Sequence, residues 1–215
     1  MEKAGTFNGQ SFIEEVFNSL SHGIGTLMAA AALVWMMVKS ASTGNVTVFI
    51  GMTLYGLSLL VLYLFSTLYH AAMDYRIKSR LQIMDHCSIF ILIWGSYVPV
   101  LLILIGGTAG KTYFIIQTVC AVIGIILNYI DMKKFKKLSL VLYLIMGWCI
   151  VFNMNPLLGV IDKTGIQLLF AGGIAYTAGV LFYVHKEKHF YHTIWHLFVL
   201  AGSIFQYAFM IRYCL

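Results

Sequence analysis

Residues 46–70, VTVFIGMTLYGLSLLVLYLFSTLYH, form an apolar run of 25 residues that contains no Asp, Glu, Lys or Arg. Coiled as an α-helix at about 1.5 Å per residue, the run is longer than the hydrocarbon core of a bilayer, which is about 30 Å thick. A helix is expected because a segment in lipid must satisfy its own backbone hydrogen bonds. The run therefore predicts a transmembrane helix, whose end carries Ser66 and His70 on one face.

Further apolar windows extend this prediction to the whole chain. Of the 215 residues, 60% are hydrophobic and 10% charged, whereas soluble domains carry about 25% charged residues. Short polar breaks separate the windows, and their continuity argues against a β-barrel, whose strands alternate. The predicted fold class is an all-α integral membrane protein, a seven-transmembrane helix bundle in a single domain over residues 1–215. The predicted spans are 20–39, 46–70, 82–105, 112–130, 138–155, 165–185 and 192–213.

The distribution of Lys and Arg predicts the orientation of this bundle. Ten of the 14 basic residues fall on the side that holds the N-terminus and the second, fourth and sixth loops, and four on the other side. Because cytoplasmic loops carry the excess of Lys and Arg, we expect a cytoplasmic N-terminus and an outside C-terminus. The net charge of +6 is then a topology signal, and no nucleic-acid partner is needed to explain it. The ten residues are Lys3, Arg76, Lys78, Arg80, Lys133, Lys134, Lys136, Lys137, Lys186 and Lys188.

Four polar side chains from three different spans fall at a similar depth on the cytoplasmic side. They are His70, Asp85, His192 and His196. Asp85 and His196 lie five and eight residues past the last charge that precedes each of them, which corresponds to about 7 to 12 Å along a helix. An isolated histidine near the end of a span is often only an interfacial residue. The coincidence on three helices instead favours a common site.

Three histidines beside a carboxylate suit a metal ion. Neutral imidazole is a common zinc ligand, and His192 and His196 have the i, i+4 spacing of a helical zinc motif. Three protein ligands leave a fourth position open, as in catalytic zinc sites. Asp85 could hold or deprotonate a water molecule there, and Ser66 could hydrogen-bond the water or a substrate oxygen.

A second polar pattern precedes the first span. Residues 1–19 are mixed and polar, without a basic start before an apolar core, so we expect a cytoplasmic amphipathic entry segment and no cleavable signal peptide. Glu14, Asn18 and His22 recur every four residues and therefore share one helical face. Two interpretations stay open at this point. The face belongs either to a helix lying on the membrane surface or to a set of groups that orient the metal ligands.

These patterns together carry a resemblance to a known family. The motifs are Glu14-x3-Asn18-x3-His22, Ser66-x3-His70, Asp85 and His192-x3-His196. On seven spans, this set resembles the haemolysin III family, within the superfamily of progestin and adiponectin receptors and their alkaline ceramidase relatives. The resemblance covers essentially the whole chain.

The resemblance implies a zinc ion bound by His70, His192 and His196 near the cytoplasmic face, with Asp85 and Ser66 beside the zinc-bound water. No counterpart of the long N-terminal domain of the animal receptors precedes the first span. We therefore expect a bacterial member, a multi-pass protein of the cell membrane, rather than a hormone receptor.

The function expected from these residues is zinc-dependent hydrolysis of a lipid amide or ester within the membrane. Ceramidase-like chemistry enters only through the resemblance, and the lipid partner is either substrate or ligand. A second interpretation is a non-enzymatic membrane-homeostasis or sensor protein with structural zinc. A third is the cytolytic pore that the family name implies, which the apolar outer halves of the spans support poorly.

Overall fold

The computed structural model of the protein describes residues 10–215, apart from the side chain of Asn153. The part of the predicted entry segment before residue 10 lies outside the described residues. The helices are α1 (Phe12–Ser42), α2 (Val46–Ala71), α3 (Tyr75–Pro99), α4 (Gly107–Trp148), α5 (Met154–Leu158), α6 (Lys163–Tyr183) and α7 (Tyr191–Tyr213). A π-helix (Val100–Ile105) prolongs α3, and a 3-10 helix (Cys149–Asn153) follows α4.

Six helical stretches within residues 10–215 are long and apolar enough to cross a membrane, and the fourth is Gly107–Phe152. Asp131 has non-helical angles, φ −160° and ψ 88°, in the middle of this stretch. In a straight helix Gln117 and Met146 would be about 44 Å apart. Instead, the Gln117 side-chain amide donates a hydrogen bond of 2.9 Å to the Met146 carbonyl. Residues 107–130 and 132–148 therefore form an antiparallel hairpin, which confirms the predicted bundle of seven membrane-spanning helices.

The first span begins earlier than hydropathy predicts. Ser11 caps α1 through a capping box, in which the Ser11 hydroxyl accepts from the Glu14 amide and the Glu14 carboxylate accepts from the Ser11 amide. Residues 12–19 are consequently the first two turns of a 31-residue helix that continues through the first predicted span. Two glutamates lower the hydropathy of this segment and mask its start, although the S-x-x-E pattern marks a helix N-terminus.

The polar ends of several helices meet at one end of the bundle. The Glu14 carboxylate of α1 accepts a hydrogen bond of 2.8 Å from the Phe190 amide, just before α7. The ammonium of Lys136, beside the bend of the α4 hairpin, lies 5.6 Å from the centre of the Tyr183 ring at the end of α6. We call this the polar end of the bundle; it gathers the loops for which the sequence predicts one common side.

Asp162 ties α6 to α7 at the opposite end. Its carboxylate accepts hydrogen bonds from the Tyr213 hydroxyl, the Gly165 amide and the Arg212 guanidinium. The hydrogen bonds from Tyr213 and Gly165 lower the pKa of this exposed carboxyl.

Close packing between α3 and the first arm of α4 depends on Gly124. Phe90 of α3 is completely buried, and its ring packs on Tyr143 of the second arm at a centroid distance of 4.3 Å. A Cβ atom added at Gly124 would overlap the Phe90 ring. The glycine thus lets the ring fill the space between three helical segments.

We expect Gly124→Ala to lower the free energy of unfolding by about 1–3 kcal/mol, because overpacking displaces Phe90. Thermal melting of the detergent-solubilised protein measures the effect. Gly147→Ala is the matched control on the other arm of the hairpin, since, beyond its chain neighbours and the adjacent backbone of its own helix, no described atom lies within 4 Å of its added Cβ. Phe90→Leu should recover part of the loss when combined with Gly124→Ala. Equal destabilisation by the two alanine variants would contradict this packing role.

Candidate metal centre

The three predicted histidine ligands meet at the polar end of the bundle. His70 lies in the last turn of α2, and His192 and His196 lie in the first two turns of α7. One ring nitrogen from each histidine lies within 4.8 Å of one from each of the others. The Nε2 atoms of His70 and His192 are 3.3 Å apart, and all three side chains are buried. This spacing could hold one metal ion.

His70 and His196 each make hydrogen bonds through Nδ1, the ring nitrogen that lies on the outer side of the cluster. His70 Nδ1 lies 2.7 Å from the Glu15 carboxylate, which can only accept when ionised. His196 Nδ1 lies 3.2 Å from the Asn18 carbonyl and 3.0 Å from the Ser21 hydroxyl. Both rings therefore carry their proton on Nδ1, which leaves the Nε2 lone pair for a cation.

His192 is held less firmly. Its Nδ1 atom is buried and has no hydrogen-bond partner among the described residues. A metal on its Nε2 would place the ring proton on this Nδ1. The donor set of three neutral imidazoles thus fits a divalent ion of the zinc type, which prefers nitrogen ligands.

Lys78 fixes the end of α2 that carries His70. Its buried ammonium donates hydrogen bonds to the carbonyls of Tyr69 at 3.0 Å, His70 at 3.3 Å and Ala72 at 3.3 Å. It also lies 3.1 Å from the Glu15 carboxylate. The ammonium satisfies carbonyls that the helix end would otherwise leave unpaired, and it links α3 to α1 and α2.

The start of α7 is fixed by α1. Phe190 precedes α7 with a left-handed φ of 60°, an uncommon conformation for a residue with a bulky side chain. The Glu14 carboxylate holds its amide, and the Phe17 ring packs edge-on against its ring at 5.7 Å. Thr193 then donates a hydrogen bond of 2.6 Å to the Asn18 side chain. These contacts set the rotation of the turn that bears the two histidines.

The predicted face of α1 lies against the histidine cluster. Asn18 and His22 are buried, and the His22 ring stacks on His196 with a centroid distance of 3.6 Å. The outward face carries apolar side chains such as Leu20. The face that carries Glu14, Asn18 and His22 thus lies inside the bundle, and its role in orienting metal ligands stays a prediction.

Asp85 and Ser66 lie near the cluster without belonging to it. Ser66 is buried one turn before His70 on α2. The Asp85 side chain of α3 is largely buried. Among the described residues, the carboxylate is not part of the group that brings its ligand atoms within 4.8 Å of one another. The catalytic roles of both residues stay predictions.

Sequence reasoning missed Glu15, Lys78 and His86. Glu15 lies three residues before Asn18 and seven before His22, so the same helical periodicity could have identified it. The count of basic residues treats Lys78 only as a topology signal. His86 directly follows Asp85 in the sequence, and its Nδ1 lies 3.5 Å from the Asp85 carboxylate. The two side chains approach each other although adjacent positions on a helix differ by about 100°.

This structure defines a multi-pass membrane protein with an internal histidine cluster at one end of its bundle. Residues 10–207 match the family model described as Haemolysin-III related, and the chain belongs to this family. It is 40% identical over 201 residues to the Hemolysin-3 homolog of Bacillus subtilis (strain 168), covering 94% of each chain. It is 38% identical over 202 residues to Hemolysin-3 of Bacillus cereus, covering 94% of this chain and 92% of that one.

The similarity extends to an animal protein. The human monocyte to macrophage differentiation factor is 31% identical over 172 residues, which cover 74% of this chain and 68% of the human one. This relative supports the wider superfamily predicted from the motifs, and the bacterial homologues together with the apolar helices support a multi-pass bacterial membrane protein.

We expect purified protein to hold about one metal ion per chain, and His196→Ala to lose it, because two remaining imidazoles make a poor site. Elemental analysis measures the content. His185→Ala is the control, since this exposed histidine hydrogen-bonds the Leu181 carbonyl outside the cluster. Undiminished metal in His196→Ala would refute the assignment.

Glu15→Gln should weaken metal binding by about 10- to 100-fold, the usual cost of removing a carboxylate that orients a histidine ligand. The amide preserves the size of the side chain but removes the charge facing His70 and Lys78. Competition with a chelator measures the affinity. Glu187→Gln removes the same charge from an exposed loop position and should leave the affinity unchanged. A loss of equal size in both variants would point to a general effect of net charge.

Proposed function

We propose that the protein is a zinc-dependent hydrolase of lipid amides or esters, with its site near the cytoplasmic leaflet. The observation that carries the proposal is an apolar cavity next to the histidine cluster. The cavity lies along α2 and α7, the two helices that carry the histidines. Three histidine ligands with an open fourth position are typical of catalytic rather than structural zinc. The excess of Lys and Arg at the polar end supports the cytoplasmic location.

The cavity has a volume of about 140 Å³ and lies between α2, α3, the second arm of α4, α6 and α7. Its lining includes Leu62, one turn before Ser66 on α2, and Val199, one turn after His196 on α7. The cavity therefore follows the helix faces that carry Ser66 and the histidines. Its walls are mainly apolar, as expected for a site that holds an acyl chain with the carbonyl near the metal.

Bound zinc would act as a Lewis acid that activates water and polarises the acyl carbonyl. Asp85 accepts the proton of the attacking water as general base. The water oxygen joins the acyl carbon, and the bond from that carbon to the leaving nitrogen or oxygen breaks. Asp85 then returns the proton to the leaving atom, while the Ser66 hydroxyl donates a hydrogen bond to the substrate oxygen.

A second candidate function is a non-enzymatic sensor or membrane-homeostasis protein with structural zinc. The position of the three buried histidines favours it, because a metal bound to them would join α2 to α7. The name Hemolysin-3 of the Bacillus cereus relative suggests a pore as a third function. A water-filled pore needs a polar path along its full length, and the mainly apolar cavity does not supply one.

We expect Asp85→Asn to lower hydrolysis by about 10²–10⁴-fold, the usual weight of general acid–base catalysis. The amide keeps the size of the side chain but accepts no proton at neutral pH, so zinc content and melting temperature should stay unchanged. The measurement is fatty-acid release from a broad lipid panel, run beside elemental analysis and thermal melting.

His70→Ala provides the comparison with a structural metal. If zinc only supports the fold, this variant loses thermal stability while the wild-type protein releases no fatty acid from any lipid. Wild-type release that persists in Asp85→Asn would exclude the base role. Dye leakage from liposomes containing the wild-type protein would instead favour the pore.

A further inference from the structure

Two lysines from distant parts of the chain meet on one aromatic ring. Lys136 follows the bend of the α4 hairpin, and Lys186 lies between α6 and α7. Each ammonium lies 5.6 Å from the centre of the Tyr183 ring, at the end of α6. The fold thus creates a cationic pair that neither loop forms alone.

Within the described part of the chain, neither lysine of this pair forms an ion pair with a carboxylate. Lys78 and Arg212 each have a carboxylate within 4.0 Å, whereas neither Lys136 nor Lys186 does. Burial, and secondly the charge of Lys136, lower the pKa of Lys186, and the charges of Asp85 and Glu15 offset this shift only in part. Two like charges next to each other are unfavourable, and an anion between them would relieve the repulsion.

Tyr183 also connects the pair to the candidate metal centre. Its ring centroid lies 6.3 Å from that of His192 and 5.4 Å from that of Trp195, which lines the apolar cavity. Its hydroxyl lies 3.3 Å from Nε2 of His86. The lysines are therefore one aromatic ring away from His192, and the same ring contacts Trp195 of the cavity lining.

We propose that Lys136 and Lys186 bind the phosphate of an anionic glycerophospholipid, whose acyl chain enters the apolar cavity. Ammonium groups are strong phosphate partners, and the cytoplasmic leaflet supplies anionic lipids. A glycerol unit separates the phosphate from the first acyl carbonyl, so one lipid can reach both the lysines and the histidines. The substrate class assigned here rests on the proposed hydrolase function, whereas the binding itself does not.

Native mass spectrometry of the full detergent-solubilised chain tests the binding. The probe is dioctanoyl phosphatidylglycerol; dioctanoylglycerol has the same chains without phosphate, and inorganic phosphate has no chains. We expect phosphatidylglycerol to bind more tightly than either. Lys136→Gln and Lys186→Gln should each weaken its binding by about fivefold, the effect of one lysine near an anionic lipid. Melting temperatures verify that the variants are folded.

Lys133→Gln and Lys137→Gln are the matched controls, since both lysines are exposed near the same bend and carry the same charge. They should leave the affinity unchanged. Equal weakening by all four variants would show only general attraction to anionic lipid, and no weakening would exclude the pair as the binding site. If inorganic phosphate binds as tightly as the lipid, the ligand of the site is a free anion and not a lipid. Each of these three results overturns the proposal.

Native mass spectrometry measures lipid binding whether or not the lipid is hydrolysed. This test is therefore independent of the test for hydrolase activity. Lysine-dependent binding without release of fatty acid from any lipid would overturn the hydrolase and leave the phosphate site intact. Turnover confined to neutral lipids, unaffected by Lys136→Gln and Lys186→Gln, would leave the hydrolase intact and overturn the assigned substrate class.

Discussion

The Glu15 carboxylate is the group on which the rest of the polar end depends. One of its oxygens lies 2.7 Å from His70 Nδ1 and 3.1 Å from the Lys78 ammonium, so a single atom joins α1, α2 and α3. Charges buried in a membrane bundle are costly unless they are paired and hydrogen-bonded. Here each partner compensates the others, and removing any one would leave a buried charge or a misdirected imidazole.

The first two turns of α1 act as a template for the two helices that supply the histidines. Glu15 faces the end of α2, while the adjacent Glu14 holds the amide before α7. Two neighbouring carboxylates therefore contact two different helices, because successive positions on a helix differ by about 100°. The Asn18 carbonyl and side chain complete the contact with α7. The capping box at Ser11 stabilises the helix start that presents all three residues.

The sequence predicts depth in the membrane far better than it predicts neighbours around the bundle. His70, His192 and His196 could be grouped because each lies a known distance from a charged loop, and their meeting is visible in the fold. The partners of their outer nitrogens could not be chosen in the same way. Glu14 and Glu15 have nearly equal depth, and only the packing of α1 against α2 decides which of them faces His70. Likewise, the turn at Asp131 could be inferred from the polar break, but the contact of Lys136 with Tyr183 depends on the folded hairpin.

The basic residues at the polar end differ in the contacts that they make. The positive-inside rule needs only their number and side, and it treats every lysine in a short loop alike. The structure distinguishes them: Lys78 is buried and supports the end of α2, whereas Lys136 and Lys186 converge on one ring beside the histidines. An orientation signal can be met by lysines anywhere in these loops. The convergence of two of them on Tyr183 is therefore a property that topology alone does not require, and it links the surface charge to the chemistry of the buried site.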